Sequence, residues 1–115
     1  MAGSGRSSPS LDRTFGALAD PTRRMLLERI GKQPRRAGDL CRGLSISRPA
    51  VSKHLRVLRH AGLVAATPRG REMMYRLSPP TPALAEVRAY LDRVSRLWDD
   101  ALQAFKAFAE QEENG

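Results

Sequence analysis

The chain has 115 residues, 41% of them hydrophobic, and carries 20 Lys and Arg against 12 Asp and Glu for a net charge of +8. That length suffices for one domain with a modest core. A single cysteine excludes an intramolecular disulfide framework, and no apolar run approaches a signal or membrane-spanning length, so the expectation is a cytoplasmic protein without a membrane partner.

The charge is uneven. Through Leu77 there are 16 basic and 5 acidic residues; from Ser78 onward there are 4 and 7. Arg supplies 17 of the 20 cations. A GC-rich coding bias explains Arg over Lys, but it does not explain the asymmetry. A basic body with an acidic tail points to a polyanion-binding module joined to a segment with another task.

Residues 1–10, MAGSGRSSPS, are Gly/Ser-rich and expected to be disordered. Leu11, Phe15 and Leu18 then fall at i, i+4 and i+7, a helical stripe. In DPTRRMLLERIGK, Asp20 suits an N-cap and Pro21 the first helical position, while Leu26, Leu27 and Ile30 form an apolar face. Gly31 and QPRR end that helix. AGDLCRGLSI predicts a short helix over 37–43, followed by a turn at 44–46.

SRPAVSKHLRVLRHAGLV is the most informative stretch. Ser47 is a good N-cap, and Pro49 is tolerated in the first turn, where its missing N–H is no loss. Val51, Leu55, Leu58 and Ala61 step by helical intervals onto one buried face, and Gly62 supplies the stop. Arg48, Ala50, Ser52, Lys53, Arg56 and Arg59 are left on the solvent-facing arc.

LVAAT, PRGR and EMMYRL read as two short strands around a tight turn, with Met73, Tyr75 and Leu77 on one face of the second. SPPTP at 78–82 breaks the chain. From 83 to about 109 the sequence is helical again. Leu84, Val87, Leu91, Val94, Trp98, Ala101, Phe105 and Phe108 form a 3-4 spaced seam over more than three heptads. So small a chain has little surface on which to hide its aromatic residues, so the seam is expected to pair two copies. Residues 111–115 are expected to be a disordered tail.

The element order is therefore α-α-α-α-β-β-α, mainly helical with a small β-hairpin. A short helix, a turn and a longer helix from Ser47 have helix-turn-helix proportions. In that arrangement the first helix braces the second, whose N-terminal side chains enter the major groove. The cationic tip Arg69-Gly70-Arg71 suits a phosphate backbone or a minor groove. A helix-turn-helix followed by such a hairpin is a winged helix. The expected division is a DNA-binding domain over 11–79 and a dimerisation helix over 80–110.

ALADPTRRMLLERI, SRPAVSKHLRVLRHAGLV and GREMMYRL, in order through residues 14–77, resemble the ArsR/SmtB family of bacterial winged-helix repressors. The resemblance implies a homodimer that binds operator DNA and leaves it when an effector arrives. It implies DNA contacts at Ser47, Arg48, Pro49, Ala50, Ser52, Lys53 and Arg56, with Arg69 and Arg71 on the wing. It also implies dimerisation through the first and last helices, here Leu11 and Phe15 with Leu84, Val87, Leu91, Val94, Trp98, Ala101 and Phe105.

Many members of that family sense metals, and this sequence departs from them. A thiolate site similar to theirs needs at least two cysteines before the turn, where Cys41 stands alone. A carboxylate–histidine zinc site needs His on the last helix. Both histidines, His54 and His60, instead lie six apart in the recognition helix, the wrong spacing to share a face. The expectation is no metal and no cofactor, as in the metal-independent, autorepressor-like branch. Cys41 fits a helix interface. No nucleophile–base–orienter set and no Gly-rich phosphate loop is present, so the protein is not expected to be an enzyme. Two rivals remain: the same fold sensing an unidentified small organic effector or oxidant, and a winged-helix module that binds proteins.

Overall fold

The computed structural model describes residues 9–79 and 82–114. The elements are α1 (Pro9–Leu18), α2 (Pro21–Lys32), β1 (Arg35–Arg36), α3 (Ala37–Leu40), α4 (Arg48–His60), β2 (Val64–Arg69), β3 (Glu72–Leu77) and α5 (Pro82–Asn114). The strands form one antiparallel sheet in the order β1-β3-β2.

Local chemistry sets the helix boundaries. The Asp20 carboxylate accepts from the backbone N–H groups of Thr22 and Arg23 at 2.8 and 3.1 Å, satisfying two donors that α2 leaves unpaired. Pro21 follows at the first helical position. The end of α1 has no glycine cap. Its last carbonyls are closed from outside: Arg23 donates to Gly16 and Ala17, and Arg24 donates to Leu18. At α4, Ser47 Oγ accepts from the Ala50 N–H at 3.3 Å. The other end is a Schellman motif, with Leu63 N–H bonded to the Leu58 carbonyl and Gly62 N–H to that of Arg59. Gly62 takes φ +79°, a conformation that penalises any side chain.

The Asp20 carboxyl is held below the usual carboxylate range, chiefly by its hydrogen bond from the Arg23 N–H. Folding thus favours the ionised form. This contribution is complete above the ordinary aspartate range and is lost as pH falls through the folded group's own value. Thermal melts should lose Tm as pH drops below about 4. Asp20→Asn, which keeps a capping oxygen without a titrating proton, should show a shallower dependence there. An unchanged pH profile in that variant would remove the cap from the acid response.

The core gathers Leu26 and Ile30 of α2, Leu40 of α3, Val51, Leu55 and Leu58 of α4, and Leu63, Val64 and Tyr75 around the sheet. Each fully buried aliphatic side chain removes enough apolar surface from water to contribute about 1.5–3 kcal/mol. The two-residue turn of the β2–β3 hairpin lies between the paired Arg69 and Glu72, with Gly70 at φ +64° in its first position, where a type II′ turn calls for Gly.

α5 packs on α1 through its first three turns. Leu11 and Val87 are buried between them. The Phe15 and Tyr90 rings meet edge to face at 5.5 Å, and the Arg93 guanidinium lies 5.7 Å from the Tyr90 centroid. Ser10 Oγ donates to Glu86. Beyond that contact α5 leaves the body.

Several expectations need correction. The observed order is α-α-β-α-α-β-β-α, because Arg35 and Arg36 pair with Tyr75 and Met74 and enlarge the hairpin to a three-stranded sheet. The helix expected over 37–43 is a single turn, Ala37–Leu40, cut short by a turn leading to Gly43 at φ +73°. Pro9 and Ser10, placed in a disordered tail, begin α1, where the Ser10 carbonyl accepts from Thr14 Oγ1. The tail expected from 111 is helical through Asn114, since nothing in AEQEEN stops a helix. Leu77 alternates with Tyr75 as expected, yet it lies at the end of the sheet and is exposed. Residues 1–8, Gly115, and Pro80 and Thr81 of the SPPTP break lie outside the described residues.

Candidate nucleic-acid interface

The site is built on α4. Its inner face (Val51, Leu55, Leu58) is fully buried, which fixes the helix's rotation and turns the opposite arc outward. Leu44 and Ile46 in the preceding turn pack against the core, so α3 and α4 are held as one unit. Arg29 of α2 strengthens this by donating to the carbonyls of Leu40 and Arg42 at 3.2 and 2.9 Å.

Of the contacts expected from the sequence, Ser47, Arg48, Pro49, Lys53 and Arg56 lie exposed along the outer arc, and Ala50 and Ser52 are half-buried beside them. Arg69 and Arg71 are exposed at the hairpin tip. The cations here differ from three others in the chain. Arg23, Arg36 and Arg42 form ion pairs with Asp20, Glu72 and Asp39. Arg48, Lys53, Arg56, Arg69 and Arg71 form none among the described residues, so their charge is available to a ligand.

Arg23 was not singled out by the sequence reading. Besides closing α1, its guanidinium lies 3.3 Å from Nδ1 of His54, on α4. One side chain thus links α1, α2 and the recognition helix. The signal lay in the pair Arg23-Arg24 right after a capping Asp-Pro, at the distance from which long side chains reach back to a preceding helix end.

The residues expected to pair two copies fall into two groups. Leu11, Phe15 and Val87 come together in the α1–α5 contact of a single chain. Leu84, Leu91, Trp98, Ala101 and Phe105 stay exposed, and Val94 is half-buried. Trp98 and Phe105 keep 67% and 68% of their surface open. Cys41 is half-buried against the core. Among the described residues, no three His, Cys, Asp or Glu side chains gather in a way that could hold a metal ion, and no helix is long and apolar enough to cross a membrane.

The helix-turn-helix domain family matches residues 18–66, which run from the end of α1 through α4 into β2. Over 103 residues the chain is 44% identical to the HTH-type transcriptional regulator Rv2034 of Mycobacterium tuberculosis, covering 90% of this chain and 92% of that one. It is 38% identical to the arsenical resistance operon repressor of Escherichia coli, over 78% and 76% of the two chains. A solved ArsR-like transcriptional regulator from Rhodococcus sp. RHA1 superposes with a TM-score of 0.67 at 36% identity, covering 87% of this chain and 92% of that one. The chain belongs to the ArsR/SmtB family. As an ArsR/SmtB protein it is a DNA-binding transcriptional repressor and not an enzyme. The α3–turn–α4 unit is the family's helix-turn-helix, and the β2–β3 hairpin is its wing.

Proposed function

We propose that this ArsR/SmtB protein binds a palindromic operator as a homodimer, through a DNA-binding body over 11–79 and a pairing helix, α5, from Pro82 onward. The observation that carries the reading is the seam on α5, where Leu91, Trp98 and Phe105 lie open in the single chain although their 3-4 spacing continues unbroken from the buried Val87. Water-exposed apolar side chains in so regular a row favour burial against a second helix. A two-fold pair presents two α4 helices, and a symmetric operator matches them with half-sites about one helical turn of DNA apart.

Each α4 enters a major groove from its N-terminal end. Arg48 and Lys53 read base edges or adjacent phosphates there, Ser47, Pro49, Ala50 and Ser52 set the close approach, and Arg56 follows along the groove. Arg69 and Arg71 lie on the backbone or minor groove beside it. Arg48→Ala and Lys53→Ala should each weaken operator binding without lowering Tm, because both side chains are exposed. A lost base contact costs about 1–3 kcal/mol and relaxes preference at one base pair. Fluorescence anisotropy on DNA from upstream of the protein's own gene, with the bound site located by footprinting, checks this; unchanged affinity in both variants would remove α4 from the groove. Failure of the unmodified protein to bind that DNA would favour the protein-interaction reading instead.

A further inference from the structure

The last turns of α4 carry Arg56, Arg59 and His60 at i, i+3 and i+4, so the three side chains share one face. Opposite them runs the start of β2. Between the two lies an open cleft of about 590 Å3, lined by Arg56, Arg59 and His60 on one wall and Val64, Ala65 and Ala66 on the other. No carboxylate lines it. The side chains of Arg56, Arg59 and His60 make no ion pair or hydrogen bond among the described residues. The negative end of the α4 dipole favours cations in its last turn, but that attraction does not require an acid-free cleft beside them.

The second wall is shaped for close approach. Ala65 and Ala66 are small, and β2 is an edge strand in the order β1-β3-β2. Its pairing with β3 therefore leaves alternate backbone N–H groups unused. Backbone N–H groups and basic side chains are the usual donors to DNA phosphates.

In B-DNA a single sugar–phosphate strand separates a major groove from the next minor groove. A helix in the first and a hairpin tip in the second straddle that strand, so it must pass between them. In this protein the space between α4 and the wing is the cleft. We propose that the α4–β2 cleft seats this DNA backbone strand, with Arg59 and His60 as phosphate contacts beyond those of the recognition arc and the wing tip. The proposal rests on the reading of α4 and the hairpin as DNA-binding elements.

The test uses Arg59→Gln and Arg59→Lys in the full chain, with anisotropy on a labelled duplex of the footprinted site and on a scrambled duplex of equal length. Arg59 is exposed, so both variants should melt like the unmodified protein. The slope of log affinity against log salt should become shallower by roughly one unit in Arg59→Gln, and the loss of affinity from 50 to 200 mM NaCl should shrink about fourfold. Both duplexes should weaken alike, because phosphates carry no sequence information. Arg59→Lys, which keeps the charge, should restore the slope. His60→Gln should weaken both duplexes further when added to Arg59→Gln.

An unchanged slope in Arg59→Gln on both duplexes, or a loss confined to the footprinted one, overturns the assignment. Arg48→Ala and Lys53→Ala measured alongside separate the two levels. If they weaken binding while Arg59→Gln leaves the slope intact, only the cleft proposal falls. If they too leave affinity unchanged, the docking of α4 falls and the cleft with it.

Discussion

Leu91→Asp and Phe105→Asp should each yield a folded chain that sediments as a monomer and binds the operator near the non-specific level. Both side chains are largely open in the single chain, Leu91 at 50% and Phe105 at 68%, so the body does not need them to fold. At a two-fold interface the situation reverses. Each aspartate would be buried without a partner, at a cost of several kcal/mol, and the symmetry axis would bring its copy close. The monomer keeps α4 and the wing but reaches one half-site only. Losing the second, linked binding event lowers affinity by about 10²–10⁴ without touching any DNA contact. Sedimentation equilibrium and anisotropy together check this. A variant that sediments as the unmodified protein and keeps full affinity would assign the seam another role.

Leu55→Ala should have the largest effect on stability. Leu55 is fully buried on the inner face of α4, between Val51 and Leu58 and against a core that includes Leu26 and Leu40. Truncation removes the transfer energy of three carbons and leaves a void that helices pinned by the Ser47 cap and the Gly62 stop cannot close fully. Such changes cost about 2–5 kcal/mol, a large share of the stability of a domain this size. Tm should fall on the order of 10 °C or more, and DNA binding should fail at temperatures the unmodified protein tolerates. By contrast, Arg56→Ala, on the outer arc of the same helix, should leave Tm within a degree or two. Equal melting of the two variants would contradict the assignment of inner and outer faces.

The boundaries of α4 were legible because each has a local cause: a serine cap, a proline in the first turn, and a glycine that alone takes positive φ easily. The buried set Val51, Leu55 and Leu58 followed from spacing alone. The hairpin was legible for the same reason, with Gly70 marking its turn. β1 was not, because two consecutive arginines show no alternation, and their strand conformation comes from pairing with Tyr75 and Met74, distant in sequence. The end of α3 was not legible either: nothing in the composition of AGDLCRG stops a helix before Gly43, yet the chain already turns after Leu40. The outer arc of α4 and the exposed wing arginines lie where the spacing put them. What spacing could not reveal is which arginines are already engaged. Arg23 and Arg29 look like Arg48 and Arg56 in the sequence, and only the tertiary fold brings carbonyls of α1 and α3 to the former pair.

The length of α5 also governs how the molecule moves through solvent. A compact domain of this size has a radius of gyration near 13 Å, whereas this chain reaches 19.9 Å, with extents of 72 × 35 × 22 Å. The excess comes from a helix of 33 residues, about 50 Å long, attached to the body only along its first turns. Drag rises with such elongation even though mass does not. On a column calibrated with spherical standards, a single copy of the 12.7 kDa chain should elute ahead of its mass, and its rotational diffusion should be slower about the short axes than about the long one. If a second copy lies alongside the rod, mass doubles while the long dimension grows far less. Pairing then makes the particle rounder, and its friction per unit mass falls.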